Sequence, residues 1–82
     1  MSGAKPMSAA EVNEYVGRRI RGCRKALGMT QGTLAARVGL SKPWVTLAEG
    51  GQRNLSVANL MAVAAVLGVN AADLLPPVVT GD

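Results

Sequence analysis

The stretch TQGTLAARVGLSKPWVTLAEG, residues 30–50, decides the fold. Thr30 can accept a hydrogen bond from the first turn of a helix, and Gly39 can end that helix because glycine takes the left-handed conformation without a Cβ clash. Between them Leu34, Ala35 and Val38 share one side. Ser41 then caps another helix, with Leu40 and Val45 spaced as a hydrophobic staple, and Pro43 falls in the first turn, where its missing N–H had no partner to lose. Counting Gln31 as the first residue, the small Ala35 is the fifth, the turn glycine Gly39 is the ninth, and the core-facing Val45 and Ala48 are the fifteenth and eighteenth. Two short helices crossing steeply over a glycine turn need small and apolar residues in that order, which predicts a helix-turn-helix.

The same cap logic extends outward in both directions. Ser8 and Glu11 form a capping box, and from there Val12, Val16, Ile20, Cys23 and Leu27 stay within about 80° of one another at 100° per residue, one face of a helix closed by Gly28. Cys23 therefore reads as a small core residue. Beyond the GGQRN loop, Ser56 caps a fourth helix ending at Gly68, and Asn70 caps a short fifth, AADLL, stopped by Pro76 and Pro77. No segment alternates with period two, so the expected fold is all-α, a compact five-helix domain over residues 8–75. Residues 1–7 and 76–82 read as flexible ends.

Composition narrows what such a domain does. The chain has 82 residues, 49% of them hydrophobic, enough for one modest core. Its longest apolar run, Leu60 to Leu67, falls far short of the roughly 20 residues of a membrane span, so no membrane role is expected and the protein reads as cytoplasmic. With no histidine and one cysteine, neither a zinc site nor an acid–base or nucleophilic constellation can be assembled, and the reading is no enzyme, no metal and no cofactor. The net charge of +4 is unevenly spread. Arg18, Arg19, Arg21, Arg24, Lys25, Arg37, Lys42 and Arg53 face the single acid Glu49, placing +7 in the middle of the chain, as a phosphate-facing surface requires.

From about Val16 to Leu75 the sequence resembles the phage-repressor and Cro type of helix-turn-helix domain, the Xre family. The resemblance is carried by RxxxGxTQ (Arg24, Gly28, Thr30, Gln31), LAxxxGLS, the Glu49 and Gly51 that end the third helix, and LGVxxxxLL. RNLS, Arg53 to Ser56, is further similar to the small controller proteins of restriction–modification systems. The resemblance implies a lambda-repressor-like fold and sequence-specific binding of double-stranded DNA, with the third helix in the major groove. With Val45 set at 0°, Thr46 lies at about 100°, Pro43 at about 160°, Leu47 at about 200° and Trp44 at about 260° around that helix. Base readout thus falls to Lys42, Pro43, Thr46 and Leu47. Pro43 and Leu47 stand where relatives carry polar readers, and suit thymine methyl groups. Backbone contacts fall to Gln31, Ser41, Trp44, Arg53 and Asn54, with the Trp44 ring covering the junction of helices two and three. Arg24 and Glu49 are implied to pair across helices one and three.

The fourth helix carries apolar residues on all sides, and such a helix is buried on more than one side. Ala62, Ala65, Val66, Val69, Leu74 and Leu75, continuing into Val78 and Val79, are expected to form a homodimer surface, giving two recognition helices for a near-palindromic operator. Lacking an effector domain, such a transcriptional regulator would act by blocking RNA polymerase or by offering it a small contact surface. A phage or plasmid repressor and an autoregulating antitoxin are rivals within this class. A protein-interaction module that keeps the fold without DNA is the rival outside it, but has no use for the central basic stretch.

Overall fold

A computed structural model describes residues 6–77. The expectations for the extreme ends, including Val78 and Val79, lie outside that range. Five helices follow in order: α1 Ala9–Ala26, α2 Gln31–Val38, α3 Lys42–Glu49, α4 Val57–Leu67 and α5 Ala71–Leu74. There is no strand among the described residues.

Local chemistry accounts for each start. The Ser8 hydroxyl accepts from the Glu11 N–H at 3.1 Å while the Glu11 carboxylate accepts from the Ser8 N–H at 2.9 Å. Thr30, Ser41 and Ser56 each accept from the N–H three residues on, at 3.0, 3.2 and 3.0 Å. α2 ends on Gly39 at φ +75°, and beyond it the Leu40 N–H returns 2.9 Å to the Ala35 carbonyl. That left-handed residue turns the chain sharply enough for α3 to cross α2.

Packing assembles these elements around one core. α1 lies against α3, α4 and α5, while α2 packs on α3 and α4. Val16, Ile20, Leu34, Ala35, Val45, Ala48, Val63, Ala64 and Leu67 fill the middle, joined by Trp44 and Leu74, and Cys23 packs against their edge. The contact of α1 with α3 depends on Gly17. A Cβ there would stand 2.5 Å from the Ala48 carbonyl oxygen and 2.6 Å from that of Glu49, so the two backbones approach as closely as they do only because α1 has no side chain at that point.

Three expectations are corrected. Leu27 is the C-cap of α1, past its last helical turn, and is exposed rather than in the core. Leu74 is 0% exposed: α5 turns it inward against α1 and α4, which removes it from any dimer surface. Val66 and Val69, half-buried, also pack against the core and have less area left for a partner than their sequence positions suggested.

Candidate nucleic-acid interface

α3 is held to the domain on one side and open on the other. Val45 and Ala48 are buried beneath it, and Ser41 caps its start. On the outward side Lys42, Pro43, Thr46 and Leu47 are all exposed and line one shallow depression. Because successive residues turn by 100°, one face can be wholly pinned while the other has few tertiary contacts.

The C-terminal end of α3 is fixed by a buried ion pair. Arg24 Nε lies 2.6 Å from Glu49 Oε2 and Nη2 lies 2.9 Å from Oε1, a bidentate pairing between side chains 9% and 3% exposed. Arg24 Nη1 also donates to the Met29 carbonyl at 2.8 Å, tying the α1–α2 turn to the same guanidinium. Burial works to raise the Glu49 pKa, but hydrogen bonds from Arg24 and Gln31 and the positive charges of Arg24 and Arg21 outweigh it, so the carboxyl sits below its ordinary value. The Arg24 guanidinium is shifted up, chiefly by its hydrogen bond to Glu49.

Gln31, first residue of α2, extends this network toward the surface. Its Nε2 donates to Glu49 Oε1 at 3.1 Å, and its Oε1 accepts from the Thr46 hydroxyl at 2.8 Å. One Nε2 hydrogen remains for an outside acceptor such as a phosphate. Ser41 is exposed, with its hydroxyl oxygen on the Trp44 N–H and its own hydrogen free to donate. Past α3, Asn54 accepts from Asn13 Nδ2 at 2.6 Å, which ties the 50–56 loop to α1 and leaves the Asn54 amide hydrogens available. Arg53 beside it is exposed.

The structure corrects two further readings. Trp44 is 8% exposed and belongs to the core, which makes it a packing residue with little of its ring left for a backbone contact. The reason is volume: a core with no phenylalanine and with alanines at 35, 48 and 64 requires one large side chain to fill it. The +7 of the central stretch does not sit on one face either. Arg24 is neutralised inside the domain, and Arg19 donates to the Asp73 carbonyl at 3.0 Å, joining α1 to α5. Residues along α1 rotate by 100° each, so a run of basic residues in sequence is divided among several surfaces. The roles of Asn13, Arg19 and Gly17 are set by partners far along the chain, and nothing local in the sequence signals them.

The geometry is that of a helix presented outward by a turn and a buried pair. A family model described as "Helix-turn-helix domain" matches residues 16–76, most of the chain. The chain belongs to the helix-turn-helix domain family. An uncharacterised HTH-type transcriptional regulator of Sinorhizobium fredii is 33% identical over 67 residues, 82% of this chain and 87% of the relative. Among solved structures, the restriction–modification controller protein of Aeromonas hydrophila is 36% identical with a TM-score of 0.74, covering 77% of this chain and 96% of the controller. Hydroxypropylphosphonic acid epoxidase from S. wedmorenis also contains this fold, 25% identical with a TM-score of 0.76, but this chain covers only 35% of that enzyme. The helix-turn-helix protein described here is thus of the Xre type, in the DNA-binding transcriptional regulator class. Among its described residues no helix is long and apolar enough to cross a membrane.

Proposed function

We propose that this helix-turn-helix protein binds a near-palindromic double-stranded operator as a homodimer, through a domain spanning residues 8–75, with α3 of each copy in the major groove. The carrying observation is the outward face of α3, where Lys42, Pro43, Thr46 and Leu47 form one open surface while the opposite face is locked to the core. Lys42 and Thr46 supply polar readout, and Pro43 and Leu47 touch thymine methyl groups. Gln31, Ser41, Arg53 and Asn54 surround this face with donors for the phosphate backbone.

The dimer reading rests on α4. Val57 and Met61 are 76% and 57% exposed, and with Ala65 they make one stripe at spacings of four on a helix that has no charged residue. Leu75 is also exposed, and beside it Leu55 and Leu60 line a small depression. An apolar stripe of this kind on a small domain favours a second copy of itself, and two copies would set their recognition helices about 34 Å apart, one DNA turn. Binding at a promoter would block RNA polymerase or give it a contact. A restriction–modification controller is the narrower reading, supported by RNLS and by the likeness to the Aeromonas controller.

The test measures affinity for duplex DNA against salt concentration, for wild type and for Gln31→Ala, Arg53→Ala and Lys42→Ala. Arg53→Ala, which takes a positive charge from a phosphate, should reduce the slope of log K against log salt by about 1, Gln31→Ala should weaken binding with the slope unchanged because its contact carries no charge, and Lys42→Ala should relax one base position. Affinity that does not vary with salt would rule out this function.

A further inference from the structure

The hydrogen bonds behind α3 run in one direction, and they end on Thr46. Glu49 is a carboxylate paired with Arg24, so it can only accept. The Gln31 amide, 3.1 Å away, must then turn its NH2 toward Glu49, which leaves its carbonyl oxygen facing Thr46. That oxygen has no hydrogen to give, so at 2.8 Å the Thr46 hydroxyl is the donor. The other acceptor within reach of this hydroxyl is the Lys42 carbonyl at 3.2 Å, one turn back and also part of the protein. The single hydroxyl hydrogen is therefore directed inward toward either partner. What Thr46 has left for a ligand in front of α3 is oxygen lone pairs.

We infer that Thr46 reads DNA as a hydrogen-bond acceptor, selecting a base with an exocyclic amino group, adenine or cytosine, and rejecting guanine and thymine on the strand it faces. In the major groove adenine N6 and cytosine N4 donate, whereas guanine O6 and thymine O4 only accept. An acceptor-only side chain opposite O6 or O4 places two oxygens together with no hydrogen between them. Lys42, one turn before Thr46 on the same flank of α3, carries only donors. The face thus holds two readers of opposite polarity, one suited to guanine or thymine and the other to adenine or cytosine, with Pro43 and Leu47 beside them contributing no polar group. Gln31 is the positioning residue that sets the polarity of Thr46. This inference rests on the DNA reading above.

The experiment is selection from a pool of duplexes with a randomised centre, using the full chain as wild type, Thr46→Val, Thr46→Ser and Gln31→Met. Thr46 is exposed, so its two variants should fold. Wild type is expected to enrich adenine or cytosine about tenfold at one position per half-site, corresponding to about 1.4 kcal/mol. Thr46→Val should lose the preference at that position alone, and Thr46→Ser should keep it. Gln31→Met, which removes the nearer of the two inward acceptors and leaves only the longer bond to the Lys42 carbonyl, should admit guanine and thymine there in part and reduce the preference several-fold. Enrichment of guanine or thymine by wild type at the position that Thr46→Val relaxes would overturn the inference while leaving DNA binding intact, as would a Thr46→Val profile identical to wild type. If wild type enriches no sequence at all, the DNA reading itself fails and the inference fails with it.

Discussion

Replacing Glu49 by alanine removes the one acceptor on which α1, α2 and α3 converge. The Arg24 guanidinium would keep only its bond to the Met29 carbonyl, inside a site where its side chain is 9% exposed. Breaking one side of a buried pair costs about 3–5 kcal/mol, mostly because the remaining charge is desolvated without compensation. The retained carbonyl bond favours the lower end, about 3 kcal/mol. For a domain of 82 residues total stability is roughly 4–12 kcal/mol, so this loss is a large part of it. It should lower the melting temperature by about 12–24 °C, read from helical circular dichroism at 222 nm. The double variant Arg24→Met with Glu49→Leu, which removes both charges, should recover most of the loss. An unchanged melting temperature for Glu49→Ala would refute the assignment of the pair as a structural tie, and so would a double variant as unstable as the single one.

Acid should reveal the same group. The Glu49 pKa in the folded chain lies below the unfolded value of 4.5, so its contribution to stability is complete above about pH 4.5 and is lost as the pH falls through the lower folded value. Urea titrations should show wild type weakening through that window relative to Glu49→Gln, which has no proton to take up there; parallel curves would count against the shift. Gly17→Ala places a Cβ against two backbone carbonyls of α3 that have no room to yield, and should destabilise by about 2 kcal/mol or more, measured by urea denaturation. Met61→Glu puts a charge on the exposed stripe of α4 and should shift sedimentation from dimer to monomer at micromolar concentration without lowering the melting temperature of the monomer. As the only tryptophan, Trp44 should emit as a buried indole, resist iodide quenching and change little when DNA is added; strong quenching on binding would place it at the interface after all.

The helix ends were legible because their chemistry is local. Ser8 with Glu11, Ser41 with Trp44, and Gly39 with its left-handed backbone each act within four residues, and sequence spacing reports such pairs directly. Residues whose surroundings depend on a neighbouring helix were harder to place. Trp44 lies about 100° from the centre of the inner face of α3, where the angle alone does not say whether a neighbour covers it; a core short of large side chains did. Leu74 read as surface because a four-residue helix has too little periodicity to define a face. Arg19, Asn13 and Gly17 act on partners 54, 41 and more than 30 residues away, separations at which spacing carries no signal. The basic stretch misled for a related reason. Charge counted along a helix is a sum over directions, and Arg24 and Arg19 contribute to it without facing solvent on the α3 side.

A division of labour on α3 follows from where its hydrogen bonds go. Pro43 and Leu47 have no polar side-chain atom, and at Lys42 only the backbone carbonyl is engaged, so changes there alter what the surface offers without disturbing the domain. Thr46 differs, because its hydroxyl ends a chain that begins at the buried pair. Glu49 therefore does two things through a single carboxylate: it holds α3 against α1, and by forcing the orientation of the Gln31 amide it gives the Thr46 hydrogen the nearer of its two inward acceptors. Loss of the pair would weaken the fold and a base preference together. A change at Gln31 would weaken the preference while leaving Arg24 and Glu49 joined, and that difference separates the structural role of the network from its role in recognition.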